Sequence, residues 1–291
     1  MTRLVILGST GMLGSEVLRV AKESGVEHLA ISRSTDISFD AEQSSVERLA
    51  QEIHLNENDW LVNCIGWIPQ KSTGDIEKDS AHAELLNTSL PAQLSEAKSQ
   101  FGFNWIQIGT DCVFGGNRGR YSEEDGMDAT DLYGQSKIAG EQKSEGVILI
   151  RSSIVGRDQR TTSGIYSWFK RAISGGSVSG YSNQMWNGVS TTAFAKLSVG
   201  LAQGGWTEPL LQHWIPEDSV SKYELLSLFS KELELDTGLV LPVDTAPSVD
   251  RTLTTTNLSR NNELWGMAGY EFPPSIAMLC KEFIAIDRKL G

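Results

Sequence analysis

Residues 4–14 read LVILGSTGMLG and decide the fold. The apolar start of this stretch is typical of a short buried strand, and the apolar pattern at residues 12–22 predicts a helix. Gly8 permits a tight turn, Gly11 lets a phosphate approach the backbone, and Gly14 lets helix and strand pack closely. The stretch therefore predicts a helix N-terminus that faces the diphosphate of a dinucleotide. The residues expected to contact that dinucleotide are Gly8, Thr10, Gly11, Met12, Leu13 and Gly14.

The alternation of strand and helix continues through the first half of the chain. Short β-rich runs occur at residues 4–7, 29–32, 60–65, 105–108 and 147–150, and helical patterns at residues 12–22, 46–53, 81–100 and 129–142. Strands separated by helices pair in parallel through right-handed crossovers. The pattern therefore predicts an α/β fold with a doubly wound parallel sheet of the Rossmann type, whose ligand crevice lies beyond the carboxyl ends of the strands.

The regular alternation loosens after residue 155, where glycine- and serine-rich connections appear. We predict a dinucleotide-binding domain at residues 1–155, to which some later segments return. A smaller C-terminal lobe, formed mainly by residues 156–291, is expected to bind the substrate. The patterns in this second part indicate helices at residues 165–173, 222–233 and 273–290 and a strand at residues 210–215.

The composition limits the classes of function. The chain has 291 residues, with 25 basic and 37 acidic side chains and a formal net charge of -12, and no basic block that could follow a nucleic-acid backbone. The three cysteines lack the spacing of a disulfide framework or a zinc site, and we predict no metal. The N-terminal apolar run is too short for a signal peptide, and no run is long enough to span a membrane. We expect a cytoplasmic protein that binds neither nucleic acid nor membrane, and a homodimer stays open.

The residues after the second and third strands bear on the choice of dinucleotide. Ser32 and Arg33 stand where NAD-preferring sites commonly place an acid on the adenosine ribose, and a guanidinium suits a 2′-phosphate. The sequence therefore favours NADPH, with NADH as the alternative, and Asp40 is a candidate partner of the adenine amino group. The other residues expected beside the cofactor are Asn63, Ile65 and Gly66 at the end of the third strand, and Asn87, which would hold that wall in place.

A second motif, YGQSK, predicts the catalytic group. Tyr133 and Lys137 lie four residues apart, on one face of a helix, and both are expected to contact the cofactor as well. An adjacent ammonium favours phenolate, so we expect Lys137 to lower the pKa of Tyr133 from about 10 toward neutrality. Tyr133 could then exchange the proton that accompanies hydride transfer. Thr110 follows the strand at residues 105–108, where its hydroxyl could hydrogen-bond the same substrate oxygen.

Five sequence blocks carry a family resemblance: GSTGMLG at 8–14, GTDCVFGG at 109–116, YSEED at 121–125, DLYGQSK at 131–137 and IRSSIVG at 150–156. Through them the chain resembles, over nearly its full length, the extended short-chain dehydrogenase/reductases and, among these, the dTDP-4-dehydrorhamnose reductase-like group. The resemblance implies that Tyr133 is the acid, that Lys137 orients the nicotinamide ribose and tunes Tyr133, and that Thr110 steadies a sugar carbonyl. It also implies that the smaller lobe closes over a nucleotide sugar.

The turn after Thr110 departs from the family pattern. Asp111 and Cys112 are expected at the substrate, but many relatives have tyrosine at the position of Cys112. Sugar-nucleotide 4,6-dehydratases usually have glutamate there, so Cys112 argues against dehydration. Cys112 is interpreted as a small packed thiol, with a nucleophile as the alternative.

Further substrate contacts are expected from the second lobe. The segment at residues 183–192 reads NQMWNGVSTT where rhamnose-pathway reductases tend toward a Gln-Gly-Pro-Thr pattern, which leaves the sugar open. Trp186 is a candidate to stack on the substrate. Arg251 resembles a late substrate-loop arginine of the family. Other possible diphosphate partners are Arg157, Arg160, Lys170 and Arg171.

The sequence thus leads to one hypothesis and two alternatives. The hypothesis is that NADPH reduces the C4 keto group of a nucleotide-linked 4-keto-6-deoxy sugar, a step of polysaccharide biosynthesis. A sugar-nucleotide epimerase with retained NAD uses the same Tyr133 and Lys137 apparatus. A non-catalytic regulatory subunit, like that of methionine adenosyltransferase, is the third reading, because fold does not guarantee function.

Overall fold

The computed structural model describes residues 2–158 and 164–290. Its strands are β1 (Arg3–Leu7), β2 (Glu27–Ile31), β3 (Asp59–Asn63), β4 (Asn104–Gly109), β5 (Ile148–Arg151), β6 (Ile154–Val155), β7 (Val178–Tyr181), β8 (Gln184–Trp186), β9 (Val189–Ser190), β10 (Leu210–His213), β11 (Val220–Ser221), β12 (Val240–Val243) and β13 (Val249–Asp250). Its α-helices are α1 (Met12–Glu23), α2 (Val46–Glu52), α3 (Ile76–Ala83), α4 (Leu90–Phe101), α5 (Leu132–Gln142), α6 (Ile165–Ile173), α7 (Thr191–Gly204), α8 (Lys222–Glu232), α9 (Leu258–Met267) and α10 (Ile276–Leu290).

The central sheet confirms the predicted doubly wound α/β fold. Within the described residues it has six parallel strands in the order β2-β1-β3-β4-β5-β10. The strand order reverses at β1, where Leu7 lies opposite both Ile31 and Asn63, so three strands end at the same level. A crevice at such a reversal is the usual ligand site of this fold.

Hydrophobic cores lie on both faces of the sheet and in a second lobe. On one face, Ile6 and Val62 pack with α1, α7 and α9, and on the other face Val5 and Leu61 pack with α2 and α4. The second lobe packs α6, α8 and α10 around a separate aromatic core that includes Phe229. Strand β10 and helix α7 therefore return to the sheet from the second half of the chain.

The helices differ from the sequence prediction in their number and in their bounds. Helices α7 and α9 were not predicted. The helix predicted at residues 81–100 is a longer helical run in which a π-helical segment, Glu84–Ser89, joins α3 to α4. The helix predicted from residue 129 begins at Leu132, because the Asp131 carboxylate caps it by accepting the N–H of Gly134 at 2.9 Å. Over the two described ranges, no helix is long and apolar enough to cross a membrane.

Candidate active site

The glycine turn lies at the carboxyl end of β1, between the ends of β2 and β3. Gly8 has a φ of +88°, a left-handed conformation that favours glycine, and a Cβ on it would lie 2.9 Å from Cγ1 of Ile65. A Cβ on Gly14 would overlap with the carbonyl oxygen of Gly8. The packing of the turn itself therefore requires both glycines, with or without a ligand.

Gly11 differs from these two glycines, because the turn does not require glycine there. Its φ of -79° suits any residue, and an added Cβ would meet the Gly8 carbonyl oxygen at 3.4 Å. Gly11 precedes α1, which no side chain caps among the described residues, and this leaves helical N–H groups without a side-chain acceptor. The buried hydroxyl of Ser9 also has no hydrogen-bond partner in the described part of the chain. Unpaired donors beside a missing side chain fit an anionic group such as a diphosphate.

The residues after β2 form a short hydrogen-bonded loop. Ser32 is buried, and its hydroxyl accepts the backbone N–H of Ser34 at 3.2 Å, whereas Arg33 is exposed. The carboxylate of Asp40 accepts the backbone N–H of Glu42 at 3.1 Å, so it stabilises the following turn. An exposed guanidinium on an ordered loop is accessible to a ligand that enters the crevice.

Lys71 is a second cation at this end of the crevice, and the sequence analysis missed it. Its ammonium donates a hydrogen bond to the carbonyl oxygen of Gly66 at 3.1 Å. Burial lowers the pKa of Lys71, and the positive charge of Arg33 acts in the same sense while Asp158 opposes it. Two cations thus lie within electrostatic range of each other beyond the ends of β2 and β3.

Asn87 connects the loop after β3 to helix α5. Its amide oxygen accepts the backbone N–H of Trp67 at 2.9 Å, and its amide nitrogen donates to the Trp67 carbonyl at 3.0 Å and to the Ser136 hydroxyl at 2.9 Å. It lies within the π-helical segment Glu84–Ser89, a type of turn that often repositions side chains at functional sites. Asn87 therefore couples one wall of the crevice to the helix that carries Tyr133.

Asn63 holds the same wall from the strand side. It is buried, its amide donates to Oε1 of Gln107 at 2.9 Å, and its oxygen accepts the N–H of Ile65 at 3.1 Å. A Cβ on Gly66 would lie 3.2 Å from Oδ1 of Asn87. These contacts fix the backbone at the edge of the crevice.

Thr110, Tyr133 and Lys137 meet at the carboxyl end of β4. Thr110 is buried directly after the strand, and its hydroxyl accepts the N–H of Cys112 at 3.1 Å. The Thr110 hydroxyl donates to Oδ1 of Asp111 at 3.1 Å, and it lies close enough to the Tyr133 hydroxyl to lower the pKa of that phenol. Lys137 is buried one helical turn beyond Tyr133 and donates a hydrogen bond to the carbonyl of Ile108 at 2.8 Å. Two hydroxyls and an ammonium therefore converge at the mouth of the crevice.

The electrostatics of Tyr133 correct one sequence expectation. Burial raises the pKa of Tyr133 above its ordinary value, and the charges of Asp111 and Glu141 act in the same sense, opposed by the hydrogen bond with Thr110. The predicted lowering of this pKa toward neutrality is therefore wrong for the protein alone. Burial also lowers the pKa of Lys137, and Glu141 opposes that shift. Tyr133 is a phenol at neutral pH, and a phenol can donate a proton.

A buried ion pair lies behind Lys137. Glu141 accepts hydrogen bonds from Nε and Nη2 of Arg151 at 2.9 and 2.7 Å, and the side chains are only 5% and 4% exposed. Nη1 of Arg151 lies 3.2 Å from Nε2 of His213, and burial lowers the pKa of that imidazole. The pair fixes a carboxylate near Lys137.

Arg251 and Cys112 border the site on the side of the second lobe. Nε of Arg251 donates to the carbonyl of Phe114 at 2.8 Å, and Nη2 lies 3.7 Å from Oδ2 of Asp131, the N-cap of α5. Burial raises the pKa of the Cys112 thiol to about 12. Cys112 is therefore a protonated, partly buried thiol and not an activated nucleophile.

Other second-lobe candidates are buried or form ion pairs within the protein. Trp186 is 4% exposed and packs within the core of the lobe, so the prediction that its ring stacks on the substrate is wrong in this structure. Arg157 and Lys170 form ion pairs with Asp287 at 3.1 and 2.8 Å. Arg160 lies outside the described residues.

Comparisons with known proteins place the chain in a family. The sequence model of the family described as RmlD substrate binding domain matches residues 1–260. The chain belongs to this family. This result confirms the resemblance inferred from the five sequence blocks. A curated relative, the dTDP-4-dehydrorhamnose reductase of Mycobacterium tuberculosis (strain ATCC 25618 / H37Rv), is 25% identical over 277 residues, which are 92% of this chain and 87% of the relative.

Two further similarities bear on fold and function. The methionine adenosyltransferase 2 subunit beta of Danio rerio is 23% identical over 258 residues, 84% of this chain and 78% of that protein. The solved dTDP-4-dehydrorhamnose reductase of Bacillus anthracis in complex with NADP has a TM-score of 0.77 at 20% identity, and the match covers 98% of this chain and 99% of that chain. The structural similarity establishes a shared fold.

One more cation of this RmlD-family site was missed by the sequence analysis. Lys222 begins helix α8, and it lies within electrostatic range of Asp111, Cys112 and Arg251. A lysine at a helix end is usually a solvated residue, so its sequence context carries no functional signal. Among the described residues, no cluster of three or more His, Cys, Asp or Glu could hold a metal ion.

Proposed function

We propose that this chain uses NADPH to reduce the C4 keto group of a nucleotide-linked 4-keto-6-deoxy sugar. The observation that carries this proposal is the convergence of the Thr110 hydroxyl, the Tyr133 phenol and the Lys137 ammonium at the end of β4. The three groups lie at the carboxyl edge of the same sheet that carries the glycine turn. Membership of the RmlD family and the similarity to named dTDP-4-dehydrorhamnose reductases support a sugar-nucleotide reductase.

The site residues divide the work of carbonyl reduction. The hydroxyls of Thr110 and Tyr133 donate hydrogen bonds to the substrate carbonyl oxygen, which polarises the carbonyl and fixes its orientation. NADPH, when bound, supplies the hydride to the carbonyl carbon. Tyr133 gives its phenolic proton to the oxygen, so that the C=O group becomes CH–OH. Lys137 stabilises the phenolate that remains.

NADPH fits the crevice because its diphosphate and its 2′-phosphate both meet suitable groups. The N-terminus of α1, Gly11 and the unpaired hydroxyl of Ser9 would hold the diphosphate. Arg33 and Lys71 would hold the 2′-phosphate, which NADH lacks. NADH stays the alternative donor. A cytoplasmic location and a homodimer stay predictions.

Replacing Arg33 or Lys71 by alanine should weaken the binding of NADPH more than the binding of NADH. Each charge-assisted hydrogen bond to the phosphate stabilises the complex enough that its loss raises the Kd for NADPH about tenfold or more. The Kd for NADH should change less than about threefold. Binding titrations of both cofactors measure this, with Lys22→Ala on the exposed end of α1 as the control. An equal loss of affinity for NADPH and NADH would contradict the proposal that Arg33 and Lys71 bind the 2′-phosphate.

Gly11 and Gly14 should respond differently to replacement by alanine. Gly11→Ala should change the free energy of unfolding by no more than about 1 kcal/mol and raise the Kd for NADPH at least about tenfold, because its methyl group would occupy the diphosphate site. Gly14→Ala should instead lower the free energy of unfolding by about 1–3 kcal/mol, because its Cβ overlaps with the turn. Urea denaturation and NADPH titration separate the two effects. Unchanged NADPH binding by Gly11→Ala would refute this diphosphate site.

A substrate screen tests the proposed reaction directly. Purified chain is mixed with dTDP- and UDP-linked 4-keto-6-deoxyhexoses, and the loss of NADPH and NADH absorbance is followed in parallel. A reductase consumes one equivalent of cofactor per alcohol formed. An epimerase with retained NAD would convert a nucleotide sugar with no net consumption, and that outcome would exclude the proposed reaction.

A regulatory subunit is a second candidate, favoured by the similarity to methionine adenosyltransferase 2 subunit beta. The presence of Thr110, Tyr133 and Lys137 in one hydrogen-bonded site argues for catalysis. Affinity capture of a methionine adenosyltransferase catalytic chain, together with no reductase activity across the substrate screen, would favour the regulatory role.

A further inference from the structure

Lys222 is an unusual cation at the border between the second lobe and the catalytic turn. Its ammonium lies 5.5 Å from the ring centroid of Trp186. In the described part of the chain it has neither a hydrogen-bond acceptor nor an ion-pair partner. Its side chain is thus positioned by an aromatic contact while its charge stays uncompensated by a direct partner.

The position of Lys222 is electrostatically costly. It is the first residue of α8, where the helix dipole disfavours a positive charge. Glu224 in the same turn does not neutralise it, because its carboxylate accepts the N–H and the hydroxyl of Ser221 at 2.7 and 2.9 Å. Burial lowers the pKa of Lys222, and the Asp111 carboxylate opposes that shift without forming an ion pair. The contact with Trp186 holds the side chain in place, but it supplies no full negative charge to the ammonium.

The surroundings of Lys222 indicate which molecule supplies the missing negative charge. Strands β11 and β13 both pair with β8, so Lys222, which follows β11, and Arg251, which follows β13, lie at the two sides of the same strand. The Asp111 carboxylate lies near enough to attract the ammonium, and the Arg251 guanidinium repels it. Asp111 accepts the Thr110 hydroxyl at 3.1 Å, and Arg251 is tethered to the Phe114 carbonyl at 2.8 Å. Lys222 is therefore the cation at this border that has no direct polar partner among the described residues. It lies near the turn that follows Thr110, the residue proposed to bind the carbonyl.

We propose that Lys222 binds an anionic oxygen of the sugar nucleotide next to the reacting sugar. That oxygen belongs either to the diphosphate or to a carboxylate on the sugar. The inference rests on the proposed function in so far as a sugar nucleotide is the ligand. It makes Lys222 a binding residue that selects among substrates, while Tyr133 and Thr110 carry the chemistry.

The test compares Lys222→Met with Lys222→Arg. Methionine keeps an unbranched apolar stem against Trp186 but removes the charge, whereas arginine keeps the charge. The Kd values for dTDP, dTDP-glucose and UDP-glucuronic acid are measured with NADP present. Lys222→Met should raise the Kd of each probe whose anionic oxygen contacts Lys222 about ten- to a hundredfold. The Kd values of Lys222→Arg should stay within about threefold of those of the wild type. Lys231→Met, at the exposed far end of α8, is the matched control and should bind all probes as the wild type does.

The three probes distinguish the two sources of the anionic oxygen. If Lys222→Met binds all three probes more weakly, the oxygen bound by Lys222 belongs to the diphosphate. If it binds only UDP-glucuronic acid more weakly, that oxygen belongs to the sugar carboxylate. In either case the Kd for NADPH and the thermal midpoint of Lys222→Met should match the wild type, which separates a binding role from a folding defect.

Failure of this inference is distinguishable from failure of the proposed function. Wild-type binding of every probe by Lys222→Met overturns the inference even when the reductase activity is found. Loss of probe binding by Lys222→Met in a chain that reduces none of the 4-keto sugars supports the anion site and overturns the proposed reaction. A wild-type chain that binds none of the probes overturns both.

Discussion

A Tyr133→Phe variant should bind NADPH as the wild type does and lose about a thousandfold of its turnover. The phenylalanine ring keeps the packing but removes the proton donor. The neighbouring donors already have other acceptors, because the Cys112 thiol lies 3.6 Å from Oδ1 of Asp111 and the Lys137 ammonium donates to the Ile108 carbonyl. Single-turnover measurements of NADPH oxidation on the accepted 4-keto sugar report the loss, and Tyr181→Phe on the exposed surface of the second lobe is the control.

The pH dependence of the reduction should follow from the shifted pKa values of Tyr133 and Lys137. The raised pKa of Tyr133 keeps the active phenol protonated through the neutral range. The lowered pKa of Lys137 places the loss of the ammonium below pH 10.5, so the rate should fall on the alkaline side as Lys137 loses its proton. Wild-type turnover by Tyr133→Phe, or an alkaline decline that persists unchanged in Lys137→Met, would contradict these roles.

The sequence predicts most of the central sheet, because each of its strands and the helix that follows it have recognisable sequence patterns. The apolar runs, the glycine turn and the helix patterns place β1 to β5 and α1, α2 and α5 within a few residues. Helix α7 escapes prediction because it is buried between α1 and α9 and is apolar on nearly every side, so it lacks the polar face that periodicity detects. The capping oxygen of Asp131 shows why the start of α5 was misplaced: the first apolar residue of the pattern is not the first helical residue.

The candidate site is predictable where its residues share one strand end or one helix. Thr110 directly follows β4, and Tyr133 lies in the first turn of α5, the next long helix of the chain. Elements that follow each other along the chain therefore bring the two residues together. Lys71 and Lys222 come from distant segments, and no sequence pattern relates them to Arg33 or Asp111. Spacing also says nothing about energetics, because the four-residue spacing of Tyr133 and Lys137 indicates proximity but not that burial dominates the pKa of the phenol.

The buried ion pair behind the site leads to the second large effect. Glu141→Gln should lower the free energy of unfolding by about 3–5 kcal/mol, because it keeps the shape of the side chain but leaves the Arg151 guanidinium buried without a counter-charge. The imidazole of His213 beside it cannot replace the carboxylate, because an imidazole is neutral or positively charged, and burial favours the neutral form here. Urea denaturation measures the change, and Glu23→Gln, which removes a 63% exposed partner of Arg19, should cost less than about 1 kcal/mol.

A double variant separates the loss of the pair from the loss of packing. Glu141→Gln combined with Arg151→Met removes both charges, so it should be more stable than Glu141→Gln alone. The carboxylate of Glu141 also raises the pKa of Lys137, so the folded Glu141→Gln variant should lose its reductase activity at a lower pH than the wild type. An unfolding free energy within about 1 kcal/mol of the wild type would contradict the stabilising role of the pair. An unshifted alkaline limb would show that Glu141 does not affect the protonation of Lys137. The ion pair is therefore expected to affect both the stability of the domain and the protonation of Lys137.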